Sequence, residues 1–91
     1  MFHVLTITYE KPPEFVDRVR PAHVDWVRAH VDAGRLILAG RLEAGDGGIL
    51  ITSDLDADEV DGMVADDPYC LAGVASYGRV SFQATLRGGG L

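Results

Sequence analysis

Two short stretches of this chain hold residue types at spacings that suit proton chemistry. The first is 20-RPAHVDWVRAHVD-32. At about 100° per residue, as an α-helix turns, Val16, Val19, His23, Trp26, Val27, His30 and Val31 fall on one half of the wheel. Asp17, Arg18, Asp25, Arg28 and Asp32 fall on the other, so His23 stands near the centre of the apolar half. A buried imidazole accepts a proton well when a carboxylate orients its second nitrogen, which is what a general base requires. The second stretch, 66-DDPYCLAGV-74, supplies that carboxylate. Proline pushes the residue before it out of the helical region, so Asp67 is held in an extended turn by Pro68. Asp66 competes for the same role. The purely structural alternative is a core histidine satisfied by backbone, beside an Asp that caps a turn.

The other reactive residues are less well placed. His30 lies two turns from His23, about 10.5 Å along a helix, too far for both rings to reach one metal. It reads as a packing or interface residue, and His3 as a strand residue with no evident partner. Cys70 follows the Asp closely, but a lone cysteine in an apolar turn is more often a small core residue than a nucleophile. Arg20 and Arg41 suit an anionic substrate group or solvent equally. Gly45, Gly47 and Gly48 lack the strand-to-helix context of a phosphate loop and read as a hairpin turn.

The elements that position these residues follow from periodicity. FHVLTITY alternates and is rich in β-branched and aromatic types, a strand ended by Lys11-Pro12-Pro13. Glu14 to Arg20 forms a helical turn or two, and the main helix begins, or restarts after a kink, at Pro21 and runs to Ala33, with Gly34 as its stop. With Pro21 first, His23 falls in the opening turn, where the positive helix end disfavours an imidazolium. RLILAGR and GILITS are strands joined by EAGDGG, with Leu36 and Leu38 on one face and Ile37 and Ala39 on the other. Asp56 and Glu59 fit a capping box with Leu55 stapling onto Val60, opening a helix that stops near Asp66. A turn through Tyr69 to Gly73 leads to the strand VASYGRVSFQATL, with Gly78 marking a bulge or bend. The order is β-α-β-β-α-β, an α+β, ferredoxin-like fold with a four-stranded antiparallel sheet and two helices on one face. Residues 1–87 make one domain and 88–91 a flexible tail. The strands are apolar on both parities, so the uncovered sheet face points to a homodimer packed sheet to sheet.

Bulk properties bound the partners. Ninety-one residues with 47% hydrophobic and 24% charged content suit one small globular domain. A net charge of −6 without a basic stripe argues against nucleic acid and against an anionic membrane surface. The single cysteine permits no internal disulfide and no thiolate zinc site. No apolar run approaches the ~20 residues of a membrane span, and the first residues do not resemble a signal peptide. A cytoplasmic location is expected.

Arg20-Pro21-Ala22-His23, Gly34-Arg35-Leu36 with Ala39-Gly40, and Asp67-Pro68-Tyr69 with Ala72-Gly73-Val74 together resemble the YciI-related (YCII) family of the dimeric α/β-barrel group. The resemblance covers nearly the whole chain. It implies ferredoxin-like domains paired sheet to sheet, and a His–Asp dyad at His23 and Asp67. Two departures alter the rim of the pocket: Arg41 stands where members commonly have proline, and the EAGDGG hairpin is short. The expectation is a homodimeric enzyme using His23–Asp67 for general acid–base proton transfer, isomerase- or lyase-like, without metal or organic cofactor. Its substrate would be a small organic molecule, cyclic or carbonyl-bearing. The alternative is a non-catalytic dimeric small-ligand-binding or regulatory module.

Overall fold

The computed structural model describes residues 1–91. The chain runs β1 (Phe2–Tyr9), α1 (Pro13–Asp32), β2 (Leu36–Arg41), β3 (Gly47–Thr52), α2 (Ala57–Ala65), α3 (Pro68–Leu71) and β4 (Ala75–Phe82). The strands form one open sheet in the order β2-β3-β1-β4, every neighbour antiparallel. This is the ferredoxin-like α+β arrangement, with three helices instead of two. The third is a single turn built on Asp67-Pro68-Tyr69, where the sequence suggested only a turn.

Register separates the two faces of the sheet. Leu5 lies opposite Leu50 and Arg79, and Ile7 opposite Gly48 and Tyr77. Leu5, Ile7 and Leu50 join Val16, Leu36, Val60, Met63, Tyr69 and Val74 in a core of nine buried residues between sheet and helices. The opposite face carries Val4, Ile49, Ile51, Leu38, Val80 and Phe82, with Leu38 63% and Val80 65% exposed.

Three expectations change. First, α1 is one continuous helix with Pro21 inside it. Pro12 and Pro13 do not merely end β1; Pro13 starts the helix, where its missing N–H is harmless. An interior proline disfavours a helix by ~3 kcal/mol, but α1 buries Val16 and His23 on either side of Pro21 and packs Val19, Trp26 and Val27 on the core. Burying an apolar side chain contributes roughly 1.5–3 kcal/mol, so packing carries the helix through. His23 therefore sits mid-helix, and the argument from a positive helix end does not apply to it. Second, Leu36 pairs with Thr52 but Leu38 with Ile51, so β2 holds a bulge between them. The extra residue turns Leu36 to the core and Leu38 to the open face. Third, Gly78 lies in an unbroken ladder opposite Thr6. What glycine provides there is room, since a Cβ would come within 2.5 Å of Thr6 Oγ1.

α1 and α3 end in the same way. Gly34 (φ 78°) and Gly73 (φ 68°) adopt left-handed geometry. The next amides reach back, Arg35 N to His30 O at 3.0 Å and Val74 N to Tyr69 O at 3.1 Å, completing a Schellman closure. The helices carrying His23 and Asp67 thus have fixed ends. α2 opens with Asp56 accepting from Glu59 N at 2.8 Å, the capping half of the expected box.

Glycines test the packing directly. A Cβ on Gly47 would lie 1.8 Å from Ile7 O, whereas one on Gly62, inside α2, meets nothing within 4 Å. In urea denaturation, Gly47→Ala should lower stability by about 2 kcal/mol or more, while Gly62→Ala should raise it by roughly 0.5–1 kcal/mol through helix propensity.

Candidate functional site

Asp67 is the residue on which three elements meet. It is 0% exposed, and its extended backbone (φ −61°, ψ 126°) places it at the N-cap of α3. Oδ1 accepts the backbone N–H of Tyr69 at 3.0 Å and the Nδ1–H of His23 at 2.7 Å. Oδ2 accepts the Tyr77 hydroxyl at 2.5 Å. Capping and histidine orientation, alternatives in the sequence, are performed by the same carboxylate. Asp66 closes α2 and is exposed, and the carboxylate bonded to His23 is that of Asp67.

His23 is only 9% exposed. The Tyr69 ring lies flat against it, with centroids 3.8 Å apart and planes 7° from parallel, and Trp26 stacks beside it at 5.8 Å. Nδ1 held by Asp67 and a ring pinned by Tyr69 fix where Nε2 lies. His23 lines a cleft of about 220 Å³ between α1, α3 and the β1–β3–β2 side of the sheet, walled by Ile7, Val24, Val27 and Leu50. Gly48 lies in its floor. The geometry suits proton transfer: an oriented imidazole beside a small, mostly apolar cleft.

The polar lining of the cleft is Tyr9, Arg20, Arg41 and Tyr69 beside His23. Arg20 donates to Asp17 Oδ1 at 2.8 Å and to the Tyr9 hydroxyl at 3.3 Å. The bond to Asp17 raises its pKa above the ordinary arginine value, with Tyr9 adding to the effect. Burial, followed by the proximity of Tyr9, pushes the Tyr69 phenol up to about 12. Burial and then the bond to Asp67 push Tyr77 far above the usual phenol range, so Tyr77 stays a donor to Asp67.

The remaining candidates fall elsewhere. Burial, then the Asp67 charge, raises the Cys70 thiol and keeps it protonated, unsuited to nucleophilic attack. His30 Nδ1 accepts from Arg35 Nε at 2.8 Å beside Trp26, and burial followed by Arg35 lowers its pKa. His3 has partners after all: its Nε2–H donates to Leu55 O at 2.8 Å and Nδ1 accepts from the Ser81 hydroxyl at 2.7 Å. No three His, Cys, Asp or Glu side chains gather as a metal site would need. Sequence reasoning missed Tyr77 and Tyr9, although both share the core-facing parity of strands whose partners there are Ile7 and Ala75.

Removing one donor should hurt less than removing the acceptor. Tyr77→Phe should lose about 1–2 kcal/mol in denaturant unfolding, and Asp67→Ala about 3 kcal/mol, since it strands several buried donors. On the alkaline side, Tyr69 is raised from 10.0 to about 12. A phenol held neutral in the fold stabilises it fully below pH 10, and that contribution is lost as pH rises through about 12. Unfolding measured from pH 9 to 12 should show a decline to which Tyr77 also contributes, and Tyr69→Phe should make it shallower.

Comparison with known proteins places this geometry. The sequence matches no curated protein. Among solved structures, the fold is similar to 5-chloro-2-hydroxyhydroquinone dehydrochlorinase of Burkholderia phenoliruptrix, determined in complex with 2,5-dihydroxybenzoquinone. The TM-score is 0.68 at 18% identity, covering 89% of this chain and 93% of that one. Residues 1–82 match the model of the YCII-related domain. By that match the chain belongs to the YCII-related family.

Proposed function

We propose that the protein is a cytoplasmic enzyme of the isomerase or lyase type that moves protons with the His23–Asp67 pair and without a cofactor. One observation carries the reading: a mid-helix imidazole at the cleft, its Nδ1–H held at 2.7 Å by a fully buried carboxylate. In the reaction, Nε2 takes a proton from a carbon or hydroxyl of the substrate. The electron pair released forms a new double bond. As it forms, either a leaving group departs with its bonding electrons, or an existing double bond shifts and its electrons take the proton back from His23 at a different atom. Asp67 stabilises the imidazolium that forms in between and keeps the ring aimed. The dehydrochlorinase with the similar fold makes a small oxygenated ring the substrate class to try first.

The functional unit is a homodimer joined through the open sheet face, on which Leu38, Val80 and Phe82 are exposed together. Apolar surface of that kind marks an interface more often than a solvated face.

His23→Ala should stay folded, by circular dichroism and thermal unfolding, yet lose turnover by 100-fold or more, the usual contribution of a general base. Chloride release from 5-chloro-2-hydroxyhydroquinone and solvent-deuterium uptake into cyclic ketones are the assays. Equal rates for His23→Ala and the parent protein would sink the proposal. By analytical ultracentrifugation, the parent protein should sediment as a dimer and Val80→Asp as a monomer.

A further inference from the structure

The cleft contradicts the charge of the molecule around it. The chain carries a net charge of −6, yet the cleft lining holds Arg20 and Arg41 and no Asp or Glu. Asp67, the nearest buried carboxylate, is committed to three donors behind His23. The other acid to weigh is Asp17, which takes one nitrogen of the Arg20 guanidinium on the solvent side. Arg20 carries five N–H donors, and its other terminal nitrogen turns to the Tyr9 hydroxyl within the cleft lining. Because that hydroxyl oxygen accepts from Arg20, its own proton is free to point elsewhere.

Tyr69 adds the decisive feature. The residue is 1% exposed, and its buried hydroxyl, although beside Tyr9, makes no hydrogen bond of good geometry. A polar atom buried unpaired is unfavourable and uncommon in a native fold. Its ring lines the cleft, and its hydroxyl lies close enough to Tyr9 and Arg20 to feel both. The stacked His23–Tyr69 pair therefore sets the imidazole and this unused donor beside the same space.

We infer that Arg20, Tyr9 and Tyr69, with Arg41 at the rim, form a subsite for an anionic oxygen of a small planar substrate held against His23. The inference rests on the proton-transfer reading for its substrate but not for its binding chemistry. The class it selects is ionised enols, phenols and hydroxyquinones, in which the negative oxygen is conjugated to the atom that exchanges a proton. Two phenol O–H donors and a guanidinium stabilise such an oxygen, and charge-assisted hydrogen bonds of this kind are the strong ones. The apolar walls accept the ring.

The test is binding, followed by quenching of the single tryptophan, which stacks beside His23. The probes are 2,5-dihydroxybenzoquinone, an acid ionised at neutral pH, and 2,5-dimethoxybenzoquinone, its uncharged ether. The parent protein should bind the ionised quinone about 10-fold or more tightly than the ether, a preference that shrinks with added salt. Arg20→Gln should erase most of that preference. Tyr69→Phe, which deletes only an unpartnered oxygen and so leaves the fold intact, should weaken the ionised probe several-fold and leave the ether unchanged. Equal binding of the two probes, binding of neither, or indifference to both variants overturns the subsite. The His23→Ala rates stand apart. A preference that depends on Arg20 and Tyr69 in a protein without turnover would keep the subsite and discard the catalysis, whereas turnover without the preference would do the reverse.

Discussion

The structure turns on one buried carboxylate. Asp67 has no contact with water, and an isolated charge in that position would be strongly unfavourable. It is tolerated because donors arrive from α1 through His23, from the first turn of α3 through Tyr69 N, and from β4 through Tyr77. Each donor belongs to a different element, so the carboxylate ties the middle of the long helix to the far strand of the sheet. Local structure follows from it: α3 is a helix of one turn, too short to persist by its own hydrogen bonds, and it exists because Asp67 caps it and Tyr69 is buried.

The imidazole and one guanidinium of the cleft share a single rigid support. Arg20 and His23 are three residues apart on α1, the spacing at which helical side chains become neighbours. Their relative placement is set by backbone geometry and not by a loop. Tyr69 is the counterpart on α3, at once a stacking surface for the imidazole and an edge for Tyr9, whose ring meets it at 83°. Aromatic contacts of these two kinds hold planes at defined angles, which matters more for the orientation of the His23 ring than their modest energies.

How much of this was legible in the sequence depended on the range of the determining interaction. The strand of alternating residues from Phe2, the capping Asp56, the helix-ending Gly34 and the extended turn before Pro68 are all decided within a few residues, and each appears where the pattern put it. Pro21 departs from the sequence pattern because the local rule against interior proline yields to burial on both sides of it, and burial is a tertiary fact. The bulge between Leu36 and Leu38 escaped for a similar reason: nothing in LILAGR distinguishes a regular pair from a slipped one until β3 is beside it. At the site, Asp67 was preferred over Asp66 through the rigidity of Pro68, a local argument. The Tyr77 bond to its second oxygen spans ten residues and a change of element, and no spacing rule reaches that far.

Gly48 bears on how such a protein can change over time. It faces the layer between sheet and helices, opposite Ile7 and Arg41, where a strand residue would ordinarily project a side chain into the core. Its absence leaves the cleft open, and a Cβ there would press to 2.9 Å on Gly40 O. The fold thus leaves a cleft that a side chain at this position would narrow. The contact with Gly40 O is with backbone and not with a movable side chain, so stability and the open cleft both hold the position to glycine. His23 rides on a helix, while Gly48 and Arg41 of the cleft lining sit on a hairpin. The two lie on separate elements, so a hairpin residue such as Arg41 can change the opening without moving the imidazole.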